Sequence, residues 1–361
     1  MNVGPVRRSS KRILPPVPEH LVVRAVAILR DRYKFQAGQR ALIIHDQPKA
    51  GIAAIFIQAA QRLGGRVEVL GLNEKRFAAG RLPKMLGYIG DPRNKADLLI
   101  NLFESRPEET PARIEVINAE ESTKTPVMHS PGINEDMLAL ELDFPQLRKA
   151  ADRLKEIFRG ADQVRITSPA GTDITISLAG REGLDDIAPF IEDGELVSNY
   201  PCGEAFWAPV ETAGQGKIVV DGTISVFGDP GTPLKIEVVE GRITRINWLN
   251  PQAGSKDLLA KIIEAISKDK LASTIGELGI GLVPFPLDGE NRQKFMPFML
   301  ASEKARKTAH VAFGHNLDMH GENSSKTHND FLMLEPTISI TYIDGRPPYL
   351  VMSAGELLFT P

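Results

Sequence analysis

Four of the seven histidines of the chain fall in one segment near its carboxyl end, HVAFGHNLDMHGENSSKTHND. The last two ligand-type residues of this segment, His328 and Asp330, form an H-x-D pair, and in an extended strand such side chains point to the same face. Imidazole and carboxylate together suit Zn²⁺, Mn²⁺, Co²⁺ or Fe²⁺, because both groups are good ligands once they are deprotonated. With His310, His315 and His320 close by, the pattern favours a metal site over a hydrogen-bonded surface pair.

Two glutamates stand in apolar stretches, where a lone charge is costly. Glu204 lies in YPCGEAFWAP and Glu277 lies in IGELGIG. Burial of a carboxylate is strongly unfavourable unless the group is paired or bound to a metal. Each glutamate is therefore expected either to pair with an arginine or to bind a metal. Because Cys202 is the single cysteine, a thiolate cluster is excluded, and a metal has to be held by imidazole and carboxylate groups.

The elements that must position these residues change character along the chain. A buried-strand pattern at 41–45, a helical pattern at 52–63 and an alternating strand at 66–72 follow one another, as is typical of a parallel sheet with helices. From about residue 161 onward, short alternating strands between Gly, Pro and Asp turns indicate antiparallel structure. We therefore predict an α/β amino-terminal domain with a parallel sheet, residues 1–160, and an α+β carboxyl-terminal domain, residues 161–361, that carries the metal site.

Composition and charge exclude several classes of function. The chain of 361 residues has a formal net charge of −3, which offers no basic surface for nucleic acid. No apolar run reaches the ~18 residues of a membrane span, and the basic first residues lack the apolar stretch of a signal peptide. The first strand is not followed by the glycine spacing of a phosphate-binding loop. A single cysteine fits a reducing compartment, so we expect a cytoplasmic protein without nucleic-acid or membrane partners.

At these residues the chain resembles the M29 family of metallopeptidases, the group of aminopeptidase T and aminopeptidase S. The resemblance covers most of the second half and rests on several motifs in the same order: YPCGEAFWAP, GELGIG, HVAFG and GENSSKTHNDFLM. It implies a homodimeric hydrolase that cleaves a peptide or small amide bond with a metal-activated water. The implied substrate is a small molecule or a short peptide.

The resemblance also implies a site for two metal ions, of Zn, Co or Mn, held by Glu204, Glu277, His310, His328 and Asp330. Two ions that share a bridging water lower the pKa of that water and polarise the scissile carbonyl. In this scheme Glu204 or Glu277 also serves as the catalytic base.

One departure from the metallopeptidase pattern concerns a catalytic tyrosine. The peptidases carry it shortly after the histidine of the H-x-A-x-G motif, whereas this chain reads HNLDMHGEN there. Candidates to replace it are His315, His320 and the distant Tyr342, and we include His315 in the predicted catalytic set.

The chain also resembles the 2,5-dihydroxypyridine 5,6-dioxygenases of the same superfamily, which hold one Fe²⁺ with two histidines and an aspartate. His328 and Asp330 match two of these ligands, while Glu277 stands where those enzymes have a histidine. A triad of His310, His328 and Asp330 would restore two histidines and one carboxylate. The alternative prediction is therefore a mononuclear Fe(II) enzyme that cleaves a hydroxylated N-heterocycle. A third hypothesis is a metal-stabilised binding protein without turnover.

Overall fold

The computed structural model of the protein describes residues 16–72, 83–104, 106, 109–187 and 197–359. The chain divides into two compact units, Met1–Glu141 with Ala188–Pro201, and Leu142–Ile187 with Cys202–Pro361. Among the described residues, no helix is both long and apolar enough to cross a membrane.

The first unit contains a parallel five-stranded sheet in the order β2-β1-β3-β4-β8. Its strands are β1 (Arg40–Asp46), β2 (Arg66–Leu72), β3 (Leu98–Leu102), β4 (Val127–His129) and β8 (Val197–Asn199). Its described helices are α1 (Glu19–Ala27), α2 (Ala50–Arg62), α3 (Pro83–Ile89), α4 (Thr110–Glu121) and α5 (Glu135–Ala139). Every residue of β3 is buried, as expected of a central strand in a sheet covered on both faces. The predicted parallel sheet is confirmed.

The second unit contains two antiparallel sheets. The larger has eight strands in the order β12-β11-β10-β6-β5-β16-β17-β18, and the smaller has five in the order β15-β14-β13-β9-β7. The strands of the larger sheet are β5 (Ala161–Thr167), β6 (Asp173–Ser177), β10 (Gly214–Val220), β11 (Leu234–Val239), β12 (Arg242–Trp248), β16 (Thr337–Tyr342), β17 (Tyr349–Ser353) and β18 (Glu356–Leu357). Those of the smaller sheet are β7 (Leu184–Asp185), β9 (Glu204–Trp207), β13 (Ile275–Gly281), β14 (Thr308–Gly314) and β15 (His328–Leu334). In the described part of this unit four α-helices accompany the two sheets: α6 (Phe144–Phe158), α7 (Lys256–Ala265), α8 (Gly289–Phe295) and α9 (Met299–Ser302).

Helix α6 belongs to the second unit, whereas the predicted amino-terminal domain extends to residue 160. The helix begins after Asp143, whose side chain accepts a hydrogen bond from the backbone N–H of Gln146, an ordinary N-cap. Its apolar face is part of the core of the second unit, and the ring of Phe158 stacks on Trp207 with centroids 4.2 Å apart. The helix buries its apolar face against the antiparallel strands, which is why the second unit begins at Leu142.

Candidate metal centre

Neighbouring strands of the smaller sheet bring the five predicted ligands together on one face. Glu277 lies on β13, His310 on β14, and His328 with Asp330 on β15, in a register that aligns their side chains. Glu204 begins β9, on the other side of β13, and its register places it on the same face. Side chains alternate along a strand, so apolar neighbours of these positions, such as Leu278, Val311 and Phe331, point to the opposite face and lie in the apolar core of the second unit.

Small residues of the same strands make room for the ligands. Gly279 is paired with His310, and a Cβ at Gly279 would lie 2.1 Å from Cε1 and 2.4 Å from Nε2 of the imidazole. Ala312 is paired with both Glu277 and Asp330, one on each side. The H-x-A-x-G pattern thus has a steric origin, because its small residues leave the face of the sheet open beside the histidine.

Four of the ligand side chains converge on one point. Nε2 of His328 lies 3.0 Å from Oε2 of Glu277 and 3.0 Å from Oδ1 of Asp330. Nε2 of His310 lies 3.4 Å from Oε1 of Glu277 and 4.0 Å from Oδ1 of Asp330. Both imidazoles therefore direct the same ring nitrogen toward the same two carboxylates. The group Glu277, His328 and Asp330 has its ligand atoms within 4.8 Å of one another, close enough to share one ion.

The loop between β14 and β15 fixes the orientation of His328. Nδ1 of His328 lies 2.7 Å from the backbone carbonyl oxygen of His315, and since a carbonyl can only accept, Nδ1 carries the proton. The lone pair of the neutral ring is then on Nε2, the atom that faces the carboxylates. Asn316 holds this loop, since its side-chain amide donates to the carbonyl oxygen of Gly276 and its Oδ1 accepts from the N–H of Asn323.

The predicted catalytic residue His315 contributes its backbone to the centre, while its side chain lies elsewhere. Its imidazole is 37% exposed and lies 3.5 Å from Asp318. The structure does not bring this side chain into either group of candidate ligands among the described residues. The hydroxyl of Tyr342 donates to the carbonyl oxygen of Ile157 and is engaged in the larger sheet.

A second group of candidate ligands lies deeper, on the other side of His310. It consists of Glu204, Glu303 and His310, all buried, with ligand atoms within 4.8 Å of one another. Lys304 is inserted beside it with a side chain that is only 1% exposed. Its ammonium pairs with Glu204, with Glu303 at 2.9 Å and with Asp186 at 3.1 Å.

Two buried atoms in this second group face each other without a hydrogen-bond partner in the described part of the chain, Oε2 of Glu204 and Nδ1 of His310. They are 3.9 Å apart. Buried polar atoms are rarely left unpaired, so these two are expected to share a proton, a water or an ion. The centre as a whole offers imidazole and carboxylate donors, and these two buried atoms among them are unpaired in the described part of the chain. Such a set of donors fits a divalent metal.

Charges within the centre shift the pKa values of both histidines upward. Burial opposes protonation of His310, but the hydrogen bond and the charge of Glu277, with the charges of Glu204 and Asp330, raise its pKa to about 10. Burial also opposes protonation of His328, yet Asp330 and Glu277 raise its pKa well above the usual value. In the same way, three carboxylates outweigh burial and hold the pKa of Lys304 well above its ordinary range. Without a metal, both imidazoles are protonated near neutral pH.

The sequence analysis did not identify Asp186, Glu303 and Lys304. Glu303 and Lys304 stand in SEKARK, which reads as the charged end of a surface helix. Asp186 follows the two-residue strand β7, and its Oδ1 accepts from the backbone N–H groups of Gly203 and Glu204. These contacts join residues far apart in the chain, so no local spacing points to them.

The model of the 2,5-dihydroxypyridine 5,6-dioxygenase family (NicX) matches residues 31–358. The chain belongs to the 2,5-dihydroxypyridine 5,6-dioxygenase family. A search among curated proteins gave no match.

Two solved structures share the fold over nearly the whole chain. The 2,5-dihydroxypyridine dioxygenase of Pseudomonas putida is 19% identical, with a TM-score of 0.66, and the match covers 95% of this chain and 98% of that one. AmpT of Thermus thermophilus, an M29 aminopeptidase, is 17% identical, with a TM-score of 0.67, covering 94% and 99%. The fold of the predicted superfamily is confirmed. Membership of the M29 family in particular stays a prediction.

Proposed function

We propose that this chain is a dioxygenase that uses one ferrous ion to open the ring of a hydroxylated N-heteroaromatic compound. Ring opening of this kind breaks one carbon–carbon bond and adds both atoms of dioxygen to the product. Membership of the family supports this choice of reaction. The metal, the substrate and the reaction are all part of the proposal.

One observation carries the proposal: both imidazoles aim Nε2 at the point where the carboxylates of Glu277 and Asp330 meet. Two histidines and one carboxylate are the usual ligands of non-haem Fe(II) in oxygenases, and Glu277 adds a second carboxylate here. An Fe(II) ion, when bound, supplies open coordination positions and the electrons that allow dioxygen to react with an aromatic ring.

The residues of the chain hold and orient this centre. Asp330 is 15% exposed and His328 is 28% exposed, whereas His310 is 1% exposed. A substrate therefore reaches the centre from the side of His328 and Asp330. The carbonyl of His315 keeps the proton of His328 on Nδ1, away from the ion.

The metal content of the purified protein tests this proposal. Protein prepared without oxygen or chelator is analysed for iron, zinc, cobalt and manganese per chain. We expect close to one iron, with loss of that iron in His328→Ala. The matched control is His320→Asn, an exposed histidine of the same loop with φ of 62°, where asparagine is well tolerated. Two equivalents of zinc, cobalt or manganese would count against the proposal.

A second candidate function is a two-metal hydrolase of a peptide or amide bond. The observation that favours it is the second group of ligands, Glu204, Glu303 and His310, beside the first. Two ions in adjacent groups could activate a water for attack on a carbonyl. Release of an amine from aminoacyl amides by the zinc, cobalt or manganese form, with no oxygen consumed, would support this alternative.

A further inference from the structure

We propose that Lys304 removes Glu204 from the set of metal ligands and makes it the carboxylate that orients His310, so that the centre binds one ion tightly. This inference rests on the proposed one-ion centre and assigns roles to Glu204 and Lys304 within it. Both are positioning residues, because neither would touch the ion or the substrate.

Among the described residues, the contacts of Lys304 leave one oxygen of Glu204 without a hydrogen-bond partner. The ammonium of Lys304 pairs with Oε1 of Glu204 and is held in place by Glu303 and Asp186. Asp186 also accepts the backbone N–H of Glu204, which anchors this residue at both its backbone and its side chain. Oε2 of Glu204 is the oxygen that remains, and it points toward Nδ1 of His310.

The tautomer of His310 then decides which of the two groups of candidate ligands its lone pair faces. A neutral imidazole has one N–H and one lone pair, so it can ligate an ion through only one nitrogen. Nε2 of His310 faces Glu277 and Asp330, whereas Nδ1 faces Glu204. If Nε2 binds the ion, Nδ1 carries the proton and needs an acceptor, and in the described part of the chain the unpaired Oε2 of Glu204 lies nearest on that side.

Carboxylates commonly play this part for metal-bound histidines, fixing the ring and raising its basicity. His328 has the equivalent support from the carbonyl oxygen of His315. Both histidines would then present Nε2 to one ion and donate Nδ1–H to an acceptor of the protein. The second group would lose His310 as a ligand at the same time.

The charge of Lys304 also disfavours an ion in the second group. Its ammonium contacts two of the carboxylates that surround that position, Glu204 and Glu303. A divalent ion bound there would share these carboxylates with a positive charge a few ångströms away. In a buried environment such repulsion is strong enough to lower affinity by roughly a hundredfold or more.

The test is a titration of the metal-free full-length protein with Co²⁺ under anaerobic conditions, followed by visible absorption and by calorimetry. Wild-type protein is expected to bind one Co²⁺ tightly. Glu204→Gln is expected to keep one Co²⁺ with affinity lower by roughly 10–100-fold and an altered absorption spectrum, as for other residues that orient a ligand. The matched control is Glu240→Gln on an exposed turn, which should change neither.

Lys304→Met is expected to gain a second tight Co²⁺, and Lys304→Met with Glu204→Gln is expected to lose it again. The exposed Lys268→Met serves as control. If Lys304→Met does not fold, the Co²⁺ affinity and the absorption spectrum of Glu204→Gln test the inference alone. Two tight ions in the wild type that fall to one in Glu204→Gln would overturn the inference, as would an unchanged affinity and spectrum in that variant.

The outcome is independent of turnover, because the titration uses neither dioxygen nor substrate. A wild type that binds one Co²⁺ but, loaded with iron, consumes no oxygen would contradict the proposed function and leave this inference intact. Two tight Co²⁺ ions in a protein that consumes oxygen when loaded with iron would contradict this inference and leave the proposed function intact.

Discussion

Nδ1 of His328 donates a hydrogen bond of 2.7 Å to the backbone carbonyl oxygen of His315. This contact links the loop between β14 and β15 to the candidate metal centre, since it sets which nitrogen of His328 faces Asp330. It involves the backbone of His315, whereas the predicted catalytic role concerns the side chain of that residue. The loop is held in turn by Asn316, which is completely buried.

Asn316→Ala is therefore expected to weaken metal binding without touching a ligand. The substitution leaves the N–H of Asn323 and the carbonyl of Gly276 without their partner, at a cost of about 1–3 kcal/mol in the free energy of unfolding. Because the carbonyl of His315 would then move, metal affinity should fall roughly 10–100-fold. Calorimetric titration with Zn²⁺ measures this change, and unchanged affinity would contradict the role given to the loop.

Gly279→Ala is expected to place a methyl group in the space that the imidazole of His310 occupies. Its Cβ would lie 2.1 Å from the imidazole of His310, a ring with no room to move because it is buried. Overpacking of this kind costs about 1–3 kcal/mol, and metal affinity should fall by about a hundredfold or more as the ring is displaced. The control is Gly51→Ala, a helical glycine with nothing within 4 Å of its added Cβ. Equal metal affinity in the two variants would refute this steric account.

Metal binding should release protons at neutral pH. The pKa of His310 without metal is about 10, and that of His328 is also raised, so an ion has to displace a proton from each imidazole. Affinity should therefore rise with pH while the imidazoles of the metal-free protein are protonated, by about tenfold per pH unit for each proton displaced. Calorimetry with Zn²⁺ at pH 7.5, in buffers of different ionisation enthalpy, counts the protons. We expect about two, and a count of zero would show that the histidines are not ligands.

Glu277→His is expected to retain one ion, because imidazole and carboxylate are interchangeable donors for Fe(II) at this position. The resembling dioxygenases carry a histidine there. Glu277→Ala should instead lower affinity by roughly a hundredfold, since it removes a group 3.0 Å from His328. Iron analysis of both variants after dialysis gives the comparison. Loss of all iron from Glu277→His would argue that the carboxylate has a second task, such as bridging two ions.

The ligand types and the parallel sheet could be predicted from the sequence because both leave local signals. The predicted strand at 66–72 coincides with β2, and the predicted helix at 52–63 overlaps α2. The five predicted ligands lie on one face of one sheet, and the spacing of two residues predicted this shared face for His328 and Asp330. Their role as ligands remains a prediction, as do the homodimer and the cytoplasmic location.

Other features depend on long-range contacts and leave no such signal. The segment 293–309 reads as one helix, but α8 ends at Phe295, α9 is a single turn, and β14 begins at Thr308. Pro297 lacks the N–H that a continuous helix requires. Lys304 is buried only because Asp186 and Glu204 reach it from other parts of the chain. A charged residue near a helix end is normally exposed, so the residues around Lys304 indicate an exposed side chain and not a buried one.

The most direct test of the central claim is oxygen uptake by the iron-loaded protein. Protein with one Fe(II) per chain is mixed with 2,5-dihydroxypyridine and a panel of related hydroxylated N-heteroaromatic compounds, with Asp330→Ala as the inactive control. We expect one dioxygen consumed for each ring opened, and none with the variant. No oxygen consumption across the panel, with iron demonstrably bound, would contradict the claim.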